Sequence, residues 1–316
     1  MTPMHAAVAA RLTETIASAG IVLDRSGLTL FGAGADNIVF AGHTLDGRAL
    51  IVKTPRRERP RYGTAAFAAR ALARHRVPAP EVLFHDASIC VETRCPGVPL
   101  TGAEGLLDTW DSTPYPAMLR AAKEAGALLR RAHTIAVHGY GRLTPTGSGP
   151  HHTLLDSLLP HPAPPAIAAP AGGLAQAAHR AVSGHLWRLR DAGPRLLVGD
   201  CAARHIFLNP ADGAISGFID LESARGGHPL ADIAGFSVRE HPQMAQALLH
   251  GYFPDGVELD RAWALTLHRA RIASSLLLFH TRRGENEPAH RIADCLAADL
   301  AAITSHSPTV LPAHLS

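Results

Sequence analysis

Apolar and polar positions along this chain change their period twice, and those changes divide it. Residues 4 to 18 carry apolar side chains at helical spacing and predict a short amphipathic helix. The period then switches to that of strands. Leu28-Thr29-Leu30-Phe31, Ile38-Val39-Phe40-Ala41 and Ala49-Leu50-Ile51-Val52 read as three strands, with Asp46-Gly47 as the hairpin turn between the last two. Ala65 to His75 is an alanine-rich helical stretch that stops before Val77-Pro78-Ala79-Pro80, because a residue preceding proline is pushed out of the helical region. Two more strands follow at Glu81 to Phe84 and Ile89 to Thr93.

Cys95-Pro96-Gly97-Val98-Pro99 is a rigid connector, and beyond it the pattern becomes helical. In 117–133, Met118, Ala122, Ala125, Leu129 and Ala132 step by four and three, which buries one face. Residues 144–173, rich in Pro, Gly and His, predict a loop or irregular insertion, and 174–190 return to helix. Leu196-Leu197-Val198 is a strand, and Ile206-Phe207-Leu208 and Ile215-Ser216-Gly217-Phe218-Ile219 pair around the turn Asn209 to Gly213. Helical patterns occupy most of 243–304.

Composition narrows the class. At 316 residues and 47% hydrophobic the chain can bury one large core or two lobes. Its net charge of +3 is too small to imply nucleic acid or an anionic membrane as partner. Cys90, Cys95, Cys201 and Cys295 form no CxxC pair, which suggests a reducing compartment. The first twenty residues lack a continuous apolar run, and the one near Ile272 to Phe279 is too short to span a bilayer. The expectation is a cytoplasmic protein, monomer or dimer.

Four features carry candidate chemistry. Phe31-Gly32-Ala33-Gly34-Ala35-Asp36-Asn37 lies between two strands, where glycines let backbone N–H groups approach a phosphate; an ordinary glycine hairpin is the commoner meaning. Lys53 ends the third strand, 19 residues after Gly34, the place where a kinase-like sheet puts a phosphate-neutralising lysine. In Val198-Gly199-Asp200-Cys201-Ala202-Ala203-Arg204-His205, Asp200 could orient a hydroxyl and take its proton, and His205 could supply a metal ligand; alone, a turn aspartate and a buried histidine are the plainer reading. Asp220 closes an apolar strand 20 residues after Asp200, where a carboxylate can hold Mg2+ against nucleotide phosphates. Asp232 in His228-Pro229-Leu230-Ala231-Asp232-Ile233-Ala234 reads by itself as a helix cap.

Together these residues resemble the aminoglycoside phosphotransferase family, over roughly residues 25 to 300 and most strongly in 196–236. The family runs His-Gly-Asp, four residues, then Asn or His, followed by a hairpin, Ile-Asp and Asp-Pro-x-x-Asp-Leu-Ala; this chain has Gly199-Asp200, His205, Ile219-Asp220 and His228 to Ala234 in that order. Val77 to Leu83 and Arg131-Ala132-His133 are further family-like passages.

The resemblance implies an α+β, protein-kinase-like fold with an N-terminal sheet lobe, residues 1–96, and a mainly helical C-terminal lobe, residues 97–316. It implies a Mg2+-dependent transfer of the γ-phosphate of ATP or GTP to a hydroxyl of a small molecule. Asp200 would be catalytic, His205 and Asp220 would hold the metal, and Asp232 would support the catalytic loop. Gly32, Gly34, Asp36, Asn37, Lys53, Val91, Glu92 and Thr93 would contact the nucleotide.

An antibiotic acceptor, of the aminoglycoside, macrolide or nucleoside type and inactivated by the transfer, is the first expectation. A metabolite acceptor such as choline, homoserine or a sugar, a weak pseudokinase-like binder and an unrelated hydrolase using the aspartate pair are the alternatives. From residue 98 onward 19 acidic and 18 basic residues leave a net of −1, which is no trap for a polycation. Three positions depart from the pattern. Val198 replaces a histidine expected to support the loop, His228 replaces an aspartate, and no glutamate near Ala65 to Ala69 is placed to pair with Lys53. The expected consequence is a lysine poorly positioned until nucleotide binds.

Overall fold

The computed structural model describes residues 3–33, 36–56, 60–101, 116–158, 171–189 and 193–310. Its fold is α+β, with a small antiparallel sheet lobe followed by a larger helical lobe. The first lobe comprises α1 (Pro3–Ser18), β1 (Thr29–Ala33), β2 (Asn37–His43), β3 (Ala49–Pro55), α2 (Tyr62–Arg74), β4 (Val82–His85) and β5 (Cys90–Thr93). The strands lie in the order β1-β2-β3-β5-β4, all antiparallel neighbours.

Strand periodicity gives the two faces of this sheet different jobs. Alternate side chains point to opposite faces. Leu50 and Val52 of β3, with Phe40 and Val91, pack against Ala9, Leu12 and Ile16 of α1 in a core of their own. Lys53 therefore points the other way, toward the second lobe. Its Cα pairs with Cys90, and Ile51 pairs with Glu92, so Lys53 and Glu92 are diagonal neighbours on one face. The helix α2 begins three residues earlier than its alanine run suggests, at Tyr62, and joins the core of the second lobe through Ala65, Ala68, Ala69 and Leu72.

The second lobe continues with β6 (Val98–Pro99), α3 (Pro116–Ala132), β7 (Gly141–Arg142), α4 (Leu154–Leu158), α5 (Ala171–His185), β8 (Arg195–Leu197), β9 (Ile206–Leu208), β10 (Ile215–Phe218), β11 (Arg225–Gly227), α6 (Leu230–Arg239), α7 (Pro242–Tyr252), α8 (Leu259–Arg283) and α9 (Asn286–Thr304). The predicted connector is thus partly strand, since β6 pairs with β9. The predicted helix 174–190 ends as α5 at His185 and tightens into a 3-10 turn, Leu186–Arg188. Of the predicted insertion, residues 159–170 lie outside the described residues, while Leu154–Leu158 forms a helical turn. The strands β7 and β11 were not legible in the sequence, because Gly-Arg and Arg-Gly-Gly have no apolar alternation.

Helices α3 and α7 pack closely enough to require glycine at both contacts. A Cβ on Gly126 would lie 2.0 Å from the Leu248 carbonyl oxygen, and one on Gly251 would lie 1.8 Å from that of Lys123. Near α9, Arg269 and Asp299 form a fully buried ion pair at 2.6 Å, and Arg269 also donates to the carbonyls of Thr309 and Val310, fastening the C-terminal strap to α8.

Buried His268 of α8 lies beside His228, ring centroids 5.0 Å apart and planes tilted by 31°, and its Nε2 has no hydrogen-bond partner. Burial first, then the neighbouring His228 and Arg271, hold its pKa well below the ordinary histidine value. The folded chain keeps this imidazole neutral while the unfolded chain takes a proton near ~6.5. Stability from this group is complete above that value and falls as pH drops through it. His268→Leu should therefore show a shallower acid-side fall of Tm than the parent; equal slopes would assign the acid sensitivity elsewhere.

Candidate active site

The loop after β8 is held from below by one carboxylate. Asp232, in the first turn of α6 and 3% exposed, accepts from the Val198 N–H at 2.8 Å and from the Gly199 N–H at 3.0 Å. His133, just past α3, approaches the same carboxylate through Nε2 at 3.2 Å and shares a hydrogen bond with the Tyr252 hydroxyl through Nδ1 at 2.8 Å. The close α3–α7 packing is what brings His133 and Tyr252 together. Gly199 has φ +85°, and a Cβ there would meet the Ser223 carbonyl oxygen at 2.0 Å, so the loop passes a neighbour that only glycine permits. The Ala203 N–H donates to Glu240, a second buried brace, at 2.8 Å.

Val198 lacks the imidazole that the resemblance expects to support the loop; its side chain packs in the core at 6% exposure, and its backbone N–H is one of the two that Asp232 holds. His133 stood in the sequence as a family-like passage without a role, and Glu240 carried no signal at all.

Asp200 emerges from this braced loop. Its Oδ2 accepts from Arg204 Nη2 at 3.0 Å, and its Oδ1 lies 3.2 Å from Arg239 Nη2. Burial alone would raise its pKa, but Arg239, His205 and Arg204 outweigh it and the net is a value below the ordinary carboxylate range. His205 closes the short 3-10 turn Ala203–His205. Its Nδ1 bonds to the Asp200 backbone carbonyl at 3.0 Å, which assigns the proton to Nδ1 and makes Nε2 the acceptor nitrogen. That Nε2 lies 3.7 Å from Asp220 Oδ2 and at present accepts from Arg204 Nε at 3.2 Å. Burial pushes the His205 pKa down, against the pull of Asp220, so the ring is neutral at neutral pH.

Asp220 follows β10 in a left-handed conformation, φ 60° and ψ 44°, rare for a residue with a Cβ. The Ile219 N–H donates to the His205 carbonyl at 2.9 Å, which pins both ends of the β9–β10 hairpin and brings Asp220 to His205. One ligand atom each from Asp200, His205 and Asp220 lie within 4.8 Å of one another. Two carboxylates and a neutral imidazole, the ring anchored by a carbonyl on its other nitrogen, make a donor set that fits a divalent cation.

Lys53 faces this cluster. Its Nζ lies 2.9 Å from Glu92 Oε1 and 3.6 Å from Glu222 Oε1, with all three side chains nearly buried. Burial opposes its charge, yet Glu92, Asp220 and Glu222 together raise its pKa above the ordinary lysine value. Burial raises that of Glu222 in turn, with Lys53 opposing. The expectation of a poorly positioned lysine is therefore corrected. Where a glutamate on α2 was missing, Ala65 and Ala69 line a void of only about 10 Å³ beside Glu92 and Leu221, and two glutamates from other elements reach the ammonium instead.

The predicted nucleotide contacts divide. Asn37 is spent on bridging the lobes, its Nδ2 donating to Glu222 at 2.9 Å and its Oδ1 accepting from the Tyr62 hydroxyl at 2.8 Å. Glu92 is the partner of Lys53, Val91 is fully buried in the sheet core, and Thr93 exchanges backbone and side-chain hydrogen bonds with Glu81. None of these three side chains is presented as a free contact. Gly32 sits at a register shift in β1, Asp36 is exposed beyond it, and Gly34 lies outside the described residues.

A two-lobed fold with a lysine on its third strand, a braced aspartate loop and a metal-fitting carboxylate on the following hairpin defines a kinase-like phosphotransferase. The chain belongs to the phosphotransferase enzyme family, whose model matches residues 27–265. A thermostable mutant of aminoglycoside phosphotransferase APH(4)-Ia, solved with ADP and hygromycin B, is similar in fold with a TM-score of 0.70 at 18% identity, over 92% of this chain and 97% of its own. The macrolide 2'-phosphotransferase MphH from Brachybacterium faecium gives a TM-score of 0.57 at 17% identity, over 89% and 97%. Amicoumacin kinase hAmiN, solved with AMP-PNP and Ca2+, gives 0.60 at 14% identity, over 96% of both chains. No curated protein sequence matches this one.

Removing the charge of Glu92 leaves a buried ammonium with its closest partner gone. Glu92→Gln should cost about 3 kcal/mol of stability in urea unfolding and weaken nucleotide binding, whereas Glu222→Gln, at the longer distance, should cost less stability. The reverse order would show that Glu222 is the principal anchor.

Proposed function

We propose that this chain is an active Mg2+-dependent small-molecule O-phosphotransferase, moving the γ-phosphate of ATP or GTP to an alcohol. The observation that carries the reading is the convergence of Asp200, His205 and Asp220 within 4.8 Å opposite an anchored Lys53. Family membership supplies the context. Of the departures from the family pattern, the absent α2 glutamate has structural substitutes in Glu92 and Glu222.

Phosphoryl transfer depends on alignment and charge neutralisation more than on covalent chemistry by the protein. The nucleotide lies between the sheet lobe, residues 1–96, and the helical lobe, residues 97–316, with Lys53 toward its phosphates. Asp220 and His205 would hold Mg2+, which neutralises charge on the transferring phosphoryl group. Asp200, ionised and held by Arg204 and Arg239, orients the acceptor hydroxyl. With its pKa below the usual range Asp200 is a weak base, so it takes the hydroxyl proton late, as the new P–O bond forms. An antibiotic hydroxyl, inactivated by the transfer, is an acceptor consistent with the hygromycin B, macrolide and amicoumacin kinases that share the fold; a metabolite hydroxyl fits the same chemistry.

A kinase screen of the purified protein with ATP and GTP tests the reading. Asp200→Ala should lower kcat about 100-fold or more while nucleotide Kd stays close to that of the parent; equal loss of both would make Asp200 structural. Asp220→Ala should instead weaken Mg2+-nucleotide binding.

His205→Asn retains a ligand atom and should keep measurable Mg2+-dependent turnover, whereas His205→Leu, similar in volume and without a lone pair, should lose most of it. A fully active Leu variant would remove His205 from the metal site. Because His205 titrates below the ordinary histidine value, activity attributable to it should persist as pH falls past ~6.5 and be lost only further into acid.

A further inference from the structure

A cavity of about 170 Å³ opens beside the catalytic loop, lined by Gly199, Arg225, Asp232, Arg239, Arg271 and Ser275, with aliphatic walls from Leu197, Ile272 and Leu276. It adjoins the reacting position, because Arg239 on its wall reaches Asp200 Oδ1 at 3.2 Å. The cavity holds three guanidinium groups and one carboxylate among the described residues. That carboxylate, Asp232, is already committed to the Val198 and Gly199 N–H groups and to His133.

Asp200 nevertheless pairs with Arg239, and Asp232 and Asp200 both act on Arg225, so Arg271, whose charged neighbour is Arg225, is the guanidinium left to a ligand. Arg271, partly buried on α8, has its Nε sealed from solvent with no hydrogen-bond partner. An orphaned guanidinium N–H is costly unless a ligand completes it. Burial and then Arg225 push the Arg271 pKa down to about 10. The positive surface continues past Arg225, which is the cross-strand partner of Arg142. Burial, then Arg61 and Arg225, lower the pKa of Arg142 as well.

We propose that this cavity is the acceptor subsite and that the acceptor is an anion, a small hydroxyl compound carrying a carboxylate or a phosphate ester, held by Arg225, Arg239 and Arg271. This rests on the phosphotransferase reading above. Planar guanidinium groups pair with either anion through two parallel N–H donors. A polycationic aminoglycoside brought here would meet three like charges at the cavity wall. A cavity of this size holds the anionic end of the molecule, and its hydroxyl-bearing end extends past Arg239 toward Asp200.

The test is thermal stabilisation of the full chain saturated with Mg·ADP, so that the nucleotide phosphate site is already filled. The probes are D-glycerate, glycerol 3-phosphate, glycerol with sodium chloride at matched ionic strength, and kanamycin. The proposal expects Tm to rise with millimolar glycerate or glycerol 3-phosphate and not with glycerol or kanamycin. The larger of the two anion shifts identifies carboxylate or phosphate as the preferred group.

Arg271→Met should raise the apparent Kd of the stabilising anion about tenfold or more. Should that variant fail to fold, Ser275→Asp, at an exposed position on the lip, places a repelling carboxylate there and should abolish the anion shift. No shift with either anion, an undiminished shift in both variants, or stabilisation by kanamycin alone would overturn the proposal. Failure of the phosphotransferase reading appears separately, as absence of any stabilisation of the parent by Mg·ADP.

Discussion

Asp232 is a buried carboxylate whose network ties three separate pieces of the chain together. It accepts from two successive backbone N–H groups of the loop after β8, and His133 with Tyr252 closes the network from α3 and α7. Burying a carboxylate is tolerable only when its lone pairs are filled, and here they are filled by the loop that must be held. The geometry of Asp200 follows. With Val198 and Gly199 tied down and Gly199 threaded past Ser223, the carboxylate two residues on has little freedom in where it can project. The hairpin that starts at His205 then returns Asp220 to the same point through the Ile219 N–H.

The other lobe relies on an ion pair to do similar work. Lys53 is carried on the face of the sheet opposite α1, and its ammonium is desolvated between Glu92 and Glu222. Glu92 comes from the neighbouring strand and Glu222 from the turn after the metal-site aspartate. The pair thereby joins the two lobes across the site, and Asn37 adds a second tie to Glu222. Small side chains on α2 suit this arrangement, since Ala65 and Ala69 leave little room for a longer acidic residue there. A lysine anchored from two sides needs no contribution from α2.

Charge is unevenly distributed around the loop that carries Asp200. Arg225, Arg239 and Arg271 line the cavity beside it, whereas Glu92 and Glu222 gather around Lys53. A net count over the helical lobe hid this segregation, because 19 acidic and 18 basic residues nearly cancel. Substrate choice depends on local fields in a low-dielectric cleft, which composition averages away.

What the sequence determined by itself was the order of elements and the clustering of Asp200, His205 and Asp220. Period-two runs marked the strands, and the spacing of Gly199-Asp200, His205, Ile219-Asp220 and Asp232 marked the site, because those residues sit within one local strand–turn–hairpin unit whose geometry short-range rules govern. Long-range pairing lay beyond it. The partners of Lys53, the brace from His133, the use of Glu240, the strands β7 and β11, and the arginine-lined cavity all join residues distant in the chain. Their juxtaposition comes from how helices and sheet pack in three dimensions, and no period along a single strand or helix encodes it. Only the tertiary structure could show that Glu92 and Glu222, from elsewhere in the fold, take the place of the glutamate absent from α2.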